Sequence, residues 1–241
     1  MATVDNSDNL ASRQRAWLDR YFYLAMSVII AAVVGYGFSH TIFDPLIHPA
    51  YPKPRVLYVH AAVFASWVGL LIVQSALIRM RNVQLHRTIG LSAIALGITI
   101  PVVGLATGIV MAKVNTQHGS TDEAQFLVVP FFDMIAFSAV FGLAVWWRRK
   151  PEFHRRLMLI AACGLTVAAF NRFPIVPEHW GYAGVDSLIL LGVGRDWFVM
   201  RRVHPVYVYV LPAIVLGQLA TTYIQLTSLP QWMAIARSLI G

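Results

Sequence analysis

RMRNVQLHRTIGLSAIALGITIPVVGLATGIVMA, residues 79–112, is the stretch on which the fold turns. Arg79 and Arg81 lead to His86 and Arg87, and then 89–112 runs on without one charged side chain. A helix needs roughly 20 apolar residues to cross about 30 Å of hydrocarbon, so this run is long enough to span a bilayer. The stretch before it, 56–78, is just as apolar. Two spans joined by a short basic turn are therefore expected, with a histidine at the boundary between lipid and water.

Outward from this hairpin, apolar windows fall at 21–40, 56–78, 89–112, 127–147, 156–173, 184–200 and 206–227. They predict an all-α integral membrane bundle of seven transmembrane helices, a single domain over 21–241 behind a cytoplasmic tail at 1–20. Arg195 and Asp196 interrupt the sixth window, which makes six spans the alternative. Of the 241 residues 58% are hydrophobic and only 12% charged, about half the charged share of an ordinary soluble domain.

The net charge of +8 suggests a nucleic-acid surface only until the cations are located. Fourteen of the nineteen Lys and Arg residues fall on one set of alternate span ends, from Arg13, Arg15 and Arg20 to Arg195, Arg201 and Arg202. That is an orientation signal, placing the N-terminus in the cytoplasm and the C-terminus outside. The expected setting is a bacterial cytoplasmic (inner) membrane, with the lipid bilayer as main partner and no nucleic acid. The first span has no cleavage motif near its end and reads as a retained anchor. Cys163 is the one cysteine, so an intrachain disulfide, a Cys-rich metal site, a Cys-ligated cluster and haem attached through C-x-x-C-H are excluded.

The basic cluster followed by histidine recurs. RRKPEFHRRLML at 148–159 sets His154 five residues after Arg149, as His86 follows Arg81, and RRVHPVYVYV at 201–210 adds His204. Three imidazoles thus lie at one depth on one side of the membrane, where ionisable groups are functional-site candidates. At about 100° per residue, Gly90, Gly97, Gly104 and Gly108 follow within about 40° of His86. This lane serves close helix packing, or it lets a flat ligand such as a porphyrin lie against the helix with His86 as axial ligand. His154 stands above the small Ala161 and Ala168, with the polar Asn171 and Arg172 at the far end of its span. Both histidines open helices, where the macrodipole favours the neutral, metal-binding imidazole. Arg87, Arg155 and Arg156 beside them set topology or meet haem propionates.

His204 is followed by Pro205, and Asp196 lies a little over two helical turns before it. Asp196 either orients a metal ligand or bound water, or closes its helix end on an arginine. Towards the other face, His60, Trp67 and Gln74 share one side of the second span. Asp133 is the most isolated charge in the chain, and Arg172, at similar depth, is its expected ion-pair partner. The alternative places Asp133 and His60 on a proton path or at the polar end of a quinone site. No G-x-x-x-x-G-K-[ST], H-E-x-x-H, G-x-S-x-G or H-x-x-x-H occurs.

His60, His86-Arg87-Thr88-Ile89-Gly90 and His154-Arg155-Arg156-Leu157-Met158 together resemble an uncharacterised bacterial family of multi-pass membrane proteins. That family carries a histidine early in one helix, then H-R-x-x-G, then His-x-x-x-Met two helices later. The similarity covers residues 55–173 and implies no function. A looser similarity is to b-type cytochromes of the ascorbate-reducible class, whose histidines pair across alternate helices. His86 and His154 match one such pair, while Asp133 stands where a second pair would need a histidine, so the resemblance implies at most one haem.

Three functions are consistent with these residues. The first is a membrane redox protein holding one haem b between His86 and His154, an oxidoreductase or electron-transport component that exchanges electrons with quinone, a small reductant or another redox protein. The second is a membrane-embedded metal-dependent enzyme with zinc or iron on His86, His154 and His204, and Asp196 orienting a ligand or water. The third is a cofactor-free carrier or scaffold with His60, Asp133, Asn171 and Arg172 along a polar pathway.

Overall fold

The computed structural model describes residues 2–39, 41–42, 47–49, 51–177 and 179–241, with side chains from Ser12 onward in the first helix. Every regular element among them is helical: α1 (Ala2–Ser39), α2 (Arg55–Arg79), α3 (Val83–Gln117), α4 (Glu123–Phe126), α5 (Val128–Trp146), α6 (Pro151–Gly164), α7 (Val167–Phe170), α8 (Gly181–Met200), α9 (Pro205–Thr227) and α10 (Pro230–Ile240). Six segments of the described residues are long and apolar enough to cross a membrane: Ser12–Ser39, Arg55–Arg79, Val83–Gln117, Glu123–Trp146, Pro151–Phe170 and Pro205–Thr227. The chain is an all-α bundle of membrane type.

The difference from seven expected spans lies in α8. It has the length of a span, yet Asp186, Arg195 and Asp196 along it lower its apolarity. Helix also runs through the polar segment before residue 21, because α1 begins at Ala2. His40, the last residue of the first expected window, lies outside the described residues. Two elements carry little hydropathy signal: the four-residue α4, and α10, which packs on α3 and α4.

Local chemistry sets the ends that matter for the site. The α2–α3 turn needs a left-handed residue, and Arg81 supplies it at φ 61°. Asn82 then caps α3, its side chain accepting from the Leu85 N–H at 3.1 Å. Pro151 and Pro205 occupy first-turn positions of α6 and α9, where the missing N–H is not needed. The fifth span is broken after Gly164, and the chain resumes as α7 with Thr166 Oγ1 donating to the Cys163 carbonyl at 2.6 Å.

Packing closes five elements into a ring: α1 on α2, α2 on α3, α3 on α5, α5 on α6, and α6 back on α1. α8 packs against α1, α6 and α7, and α9 covers α5. Across the ring, Trp67 of α2 sets its indole edge-on to Phe137 and Phe141 of α5, with centroids 5.4 and 5.6 Å away. Such aromatic pairs add about 0.5–1.5 kcal/mol beyond area burial. The glycine lane of α3 serves this packing at its lower positions. A Cβ at Gly97 would strike the Phe141 ring, one at Gly104 the Met134 sulfur, and one at Gly108 would touch Pro130 at 3.4 Å. Leu91, Ile98 and Val102 on the opposite side of α3 stay exposed, the surface a bilayer would cover.

Candidate functional site

His154 sits one turn into α6, beside the end of α5. Its Nδ1 lies 2.8 Å from the Ala144 carbonyl, one of the oxygens a helix C-terminus leaves without an intrahelical donor. A carbonyl only accepts, so the proton is on Nδ1 and the Nε2 lone pair is free. Metal-ligating histidines are commonly oriented by such a bond.

His86 is held from behind by α2. The Gln74 side-chain amide meets His86 Nδ1 at 2.5 Å, the His86 carbonyl at 3.2 Å and the Gly90 N–H at 3.2 Å. The amide is satisfied with its nitrogen donating to the His86 carbonyl and Nδ1 and its oxygen accepting from the Gly90 N–H, so Nδ1 accepts and the His86 proton is on Nε2, the opposite tautomer to His154. The two imidazoles are close enough to act on each other electrostatically. Gly90, one turn below His86, has open space where a Cβ would point, unlike the three glycines farther down the lane. Arg87 is exposed. Arg155 donates to Glu152 at 2.7 Å and stacks over Tyr23 at 5.2 Å.

His204 is engaged differently. As the cap of α9 its Nδ1 accepts from the Val206 N–H at 3.2 Å, so its proton is on Nε2, and its ring stands edge-on to Phe153 at 4.7 Å. Burial, and then the charge of Arg156, hold its pKa below the usual imidazole value. Asp196 is fully buried and belongs to arginines. It accepts from Arg156 Nε and Nη2 at 2.7 Å each and from Arg195 Nη1 at 2.7 Å. Arg156 also donates to Glu152, and Arg195 pairs with Asp19. Asp196 therefore closes its helix end on arginines instead of orienting a ligand at His204. Among the described residues no group of three or more His, Cys, Asp or Glu side chains is arranged to hold a metal ion.

At the opposite end, Asp133 accepts from the Tyr182 hydroxyl at 2.9 Å. The expected pair with Arg172 does not form: Arg172 donates to the Ala168 carbonyl at 2.5 Å and lies 4.4 Å over the Phe38 ring. The break after Gly164 resets the helical rotation, so Arg172, just past α7, turns towards α1. His60 stacks on Phe64 at 4.1 Å, and its buried Nδ1 has no hydrogen-bond partner among the described residues. Gln218 of α9 donates to Asp186 of α8 at 3.1 Å.

Two cavities meet at Tyr182. One, about 20 Å³, is bounded by Asp133, Tyr182 and Gln218, room for about one water. The other, about 220 Å³, has Asn171, Tyr182, Thr222 and Gln225 on its walls. The structure thus unites His86 with His154, and Asn171 with the cavity near Asp133. It separates Asp196 from His204 as a ligand pair, and Arg172 from Asp133. Gln74, Tyr182 and the Ala144 carbonyl are site features without an assigned role in the sequence reading. Gln74 had a signal, a lone amide in an apolar run facing the side of Trp67 and His60. Tyr182 had none.

No family model matches the chain, and neither a curated protein nor a solved structure matches it.

Proposed function

We propose that this is a membrane redox protein that holds one b-type haem between His86 and His154 and exchanges electrons with quinone or a small reductant. The carrying observation is the pair of neighbouring imidazoles, each engaged through Nδ1 and each leaving Nε2 without a hydrogen-bond partner among the described residues. A b-type haem would be held by one such nitrogen from each helix, with His86 binding in its other tautomer, and two helices of a bundle can supply them. The open space at Gly90 fits a flat ring lying against α3. When bound, the haem supplies one-electron chemistry. The chain's own residues orient the two ligands through Gln74 and Ala144, offer Arg87 and Arg155 to its carboxylates, and close the interior below with Trp67, Phe137 and Phe141.

In this reading all seven long helices cross the membrane, α8 included, with Arg195 and Asp196 buried away from lipid. The basic end faces the cytoplasm and the C-terminus the outside of a bacterial inner membrane. The zinc or iron alternative has less support, because His204 uses Nδ1 as a helix cap and Asp196 is committed to Arg156 and Arg195. The carrier alternative has less support, because Arg172, one of its four pathway groups, is engaged by the Ala168 carbonyl and the Phe38 ring.

The test is an absorption spectrum of detergent-purified protein, as isolated and after dithionite, with elemental analysis of the same sample. A Soret band that shifts on reduction, with sharp α and β bands, is expected, and it should vanish in His86→Ala and in His154→Ala. A colourless protein sinks the reading. Stoichiometric zinc or iron lost in His204→Ala would instead support the three-histidine site.

A further inference from the structure

The cavity of about 220 Å³ lies at the end of the bundle away from His86 and His154. Phe126, Val129, Val167 and Pro177 give it apolar walls, and Asn171, Tyr182, Thr222 and Gln225 bring hydrogen-bonding groups to the same space. Among the described residues no lysine or arginine lines it and His179 is its one imidazole, so it carries no permanent positive charge to reward an anionic ligand. Beside Thr222 and Gln225, the side chains of Tyr223 and Leu226 are 62% exposed, an apolar approach from lipid.

We infer that this cavity docks a quinone-type ring, a flat lipid-soluble ligand with an oxygen at either end, and that Tyr182 is its anchoring hydrogen-bond partner. The side-chain amides of Asn171 and Gln225 carry N–H donors suited to quinone carbonyls. The Tyr182 hydroxyl gives its proton to the Asp133 carboxylate at 2.9 Å, so its oxygen keeps lone pairs for a ring hydroxyl of the reduced form. Asp133 thereby acts through Tyr182 as a positioning residue.

The cavity is also in register with the histidine end. Val129, Asp133, Phe137, Phe141 and Ala144 follow one another along α5, so about 22 Å of helix rise separates the cavity wall at Val129 from the carbonyl that orients His154. Phe137 and Phe141 stack at 5.4 Å within that length, with Trp67 against both. The choice of a quinone over other neutral rings rests on the redox reading above; the cavity itself does not.

The experiment is equilibrium dialysis of the purified full chain against a short-chain ubiquinone and against menadione, with a detergent-matched blank and the haem spectrum recorded on the same samples. Saturable binding of at least one of them is expected. Thr222→Trp, which fills the cavity, should abolish it, and Gln225→Leu and Tyr182→Phe should each weaken it about three- to tenfold, the worth of one hydrogen bond. Leu91→Ala, on the lipid face of α3, should leave it unchanged. If Thr222→Trp does not fold, as judged by its thermal transition, the two milder variants decide. Absence of saturable binding, or binding indifferent to all three cavity variants, overturns the inference. A haem-free protein that still binds quinone here would remove the redox reading and leave the site standing, whereas a haem protein without cavity-dependent binding would remove the site alone.

Discussion

The two ends of the bundle solve the problem of buried charge in opposite ways. At the histidine end Asp196 lies between Arg156 and Arg195, with Glu152, Arg155 and Asp19 extending the network over α1, α6 and α8. Each carboxylate there is answered by at least one guanidinium. Among the described residues Asp133 at the far end is met by one hydroxyl and Asp186 by one amide, while buried polar atoms without a partner occur at both ends, His60 Nδ1 at this one and Arg155 Nε, Arg195 Nε and the Tyr207 hydroxyl at the other. A network of answered charges fixes helices in place. A carboxylate met only by neutral groups at membrane depth is costly to keep and marks a place where a ligand or proton completes the set.

The sharpest way to break this comparison is to remove one partner at each end. Arg156→Met should strip Asp196 of two of its three guanidinium hydrogen bonds and cost up to about 3–5 kcal/mol, read as a lower thermal transition in detergent. Pairing it with Asp196→Leu should restore most of the loss. Asp133→Asn, which keeps the shape and the contact with Tyr182, should cost no more than about 1 kcal/mol. Equal losses at the two ends would refute the distinction.

Next in size is the support behind the haem ligand. Gln74→Leu should lower haem affinity by about 10–100-fold, as loss of a partner orienting a metal ligand commonly does. Its thermal transition without haem should stay near that of the parent protein. An unchanged affinity would mean that Gln74 only packs.

The glycine lane offers a third, smaller contrast. Gly97→Val drives a side chain into Phe141 and should cost about 1–3 kcal/mol. Gly90→Ala meets open space and should stabilise the haem-free helix by about 0.5–1 kcal/mol. The same alanine should weaken haem binding, because the open space is where the ring would lie. A haem-binding protein indifferent to Gly90→Ala would place the ring elsewhere.

The smallest effect concerns pH. The folded state lowers the pKa of His204, so it binds fewer protons there than the unfolded chain, and stability rises with pH between the depressed folded value and the ordinary value of about 6.5. Acidification through that window should lower the thermal transition, because burial and then the charge of Arg156 disfavour the protonated ring, an effect that Asp196 and Glu152 only partly offset. His204→Asn retains a capping acceptor and should lose this increment of acid sensitivity. The same slope in parent and variant would assign it to another group.

Much of the fold was legible in the chain. The windows 56–78, 89–112 and 206–227 fall inside α2, α3 and α9, because hydropathy is a local property and a helix rises a fixed distance per residue. α10 was not legible, since a short amphipathic helix lacks the length that marks a span. The sixth window was equivocal for a physical reason: Arg195 and Asp196 offset each other only once α6 brings Arg156 against them. The glycine lane was readable as a direction, but its division into packed lower glycines and an open Gly90 depends on where Phe141, Met134 and Pro130 of α5 come to rest.

The sequence alone determined the apolar helices, the segregation of basic residues to one set of their ends and the recurrence of histidine at that depth. These follow from composition and spacing along one element. The tertiary structure alone decided the partners. Asp196 meets Arg156 across 40 residues and Asp133 meets Tyr182 across 49, and Gln74 reaches His86 from the neighbouring helix. Such pairings depend on how each helix is rotated about its axis and on the break after Gly164, which turned Arg172 away from Asp133. Rotation is set by packing against other helices, so no stretch of the chain encodes it by itself.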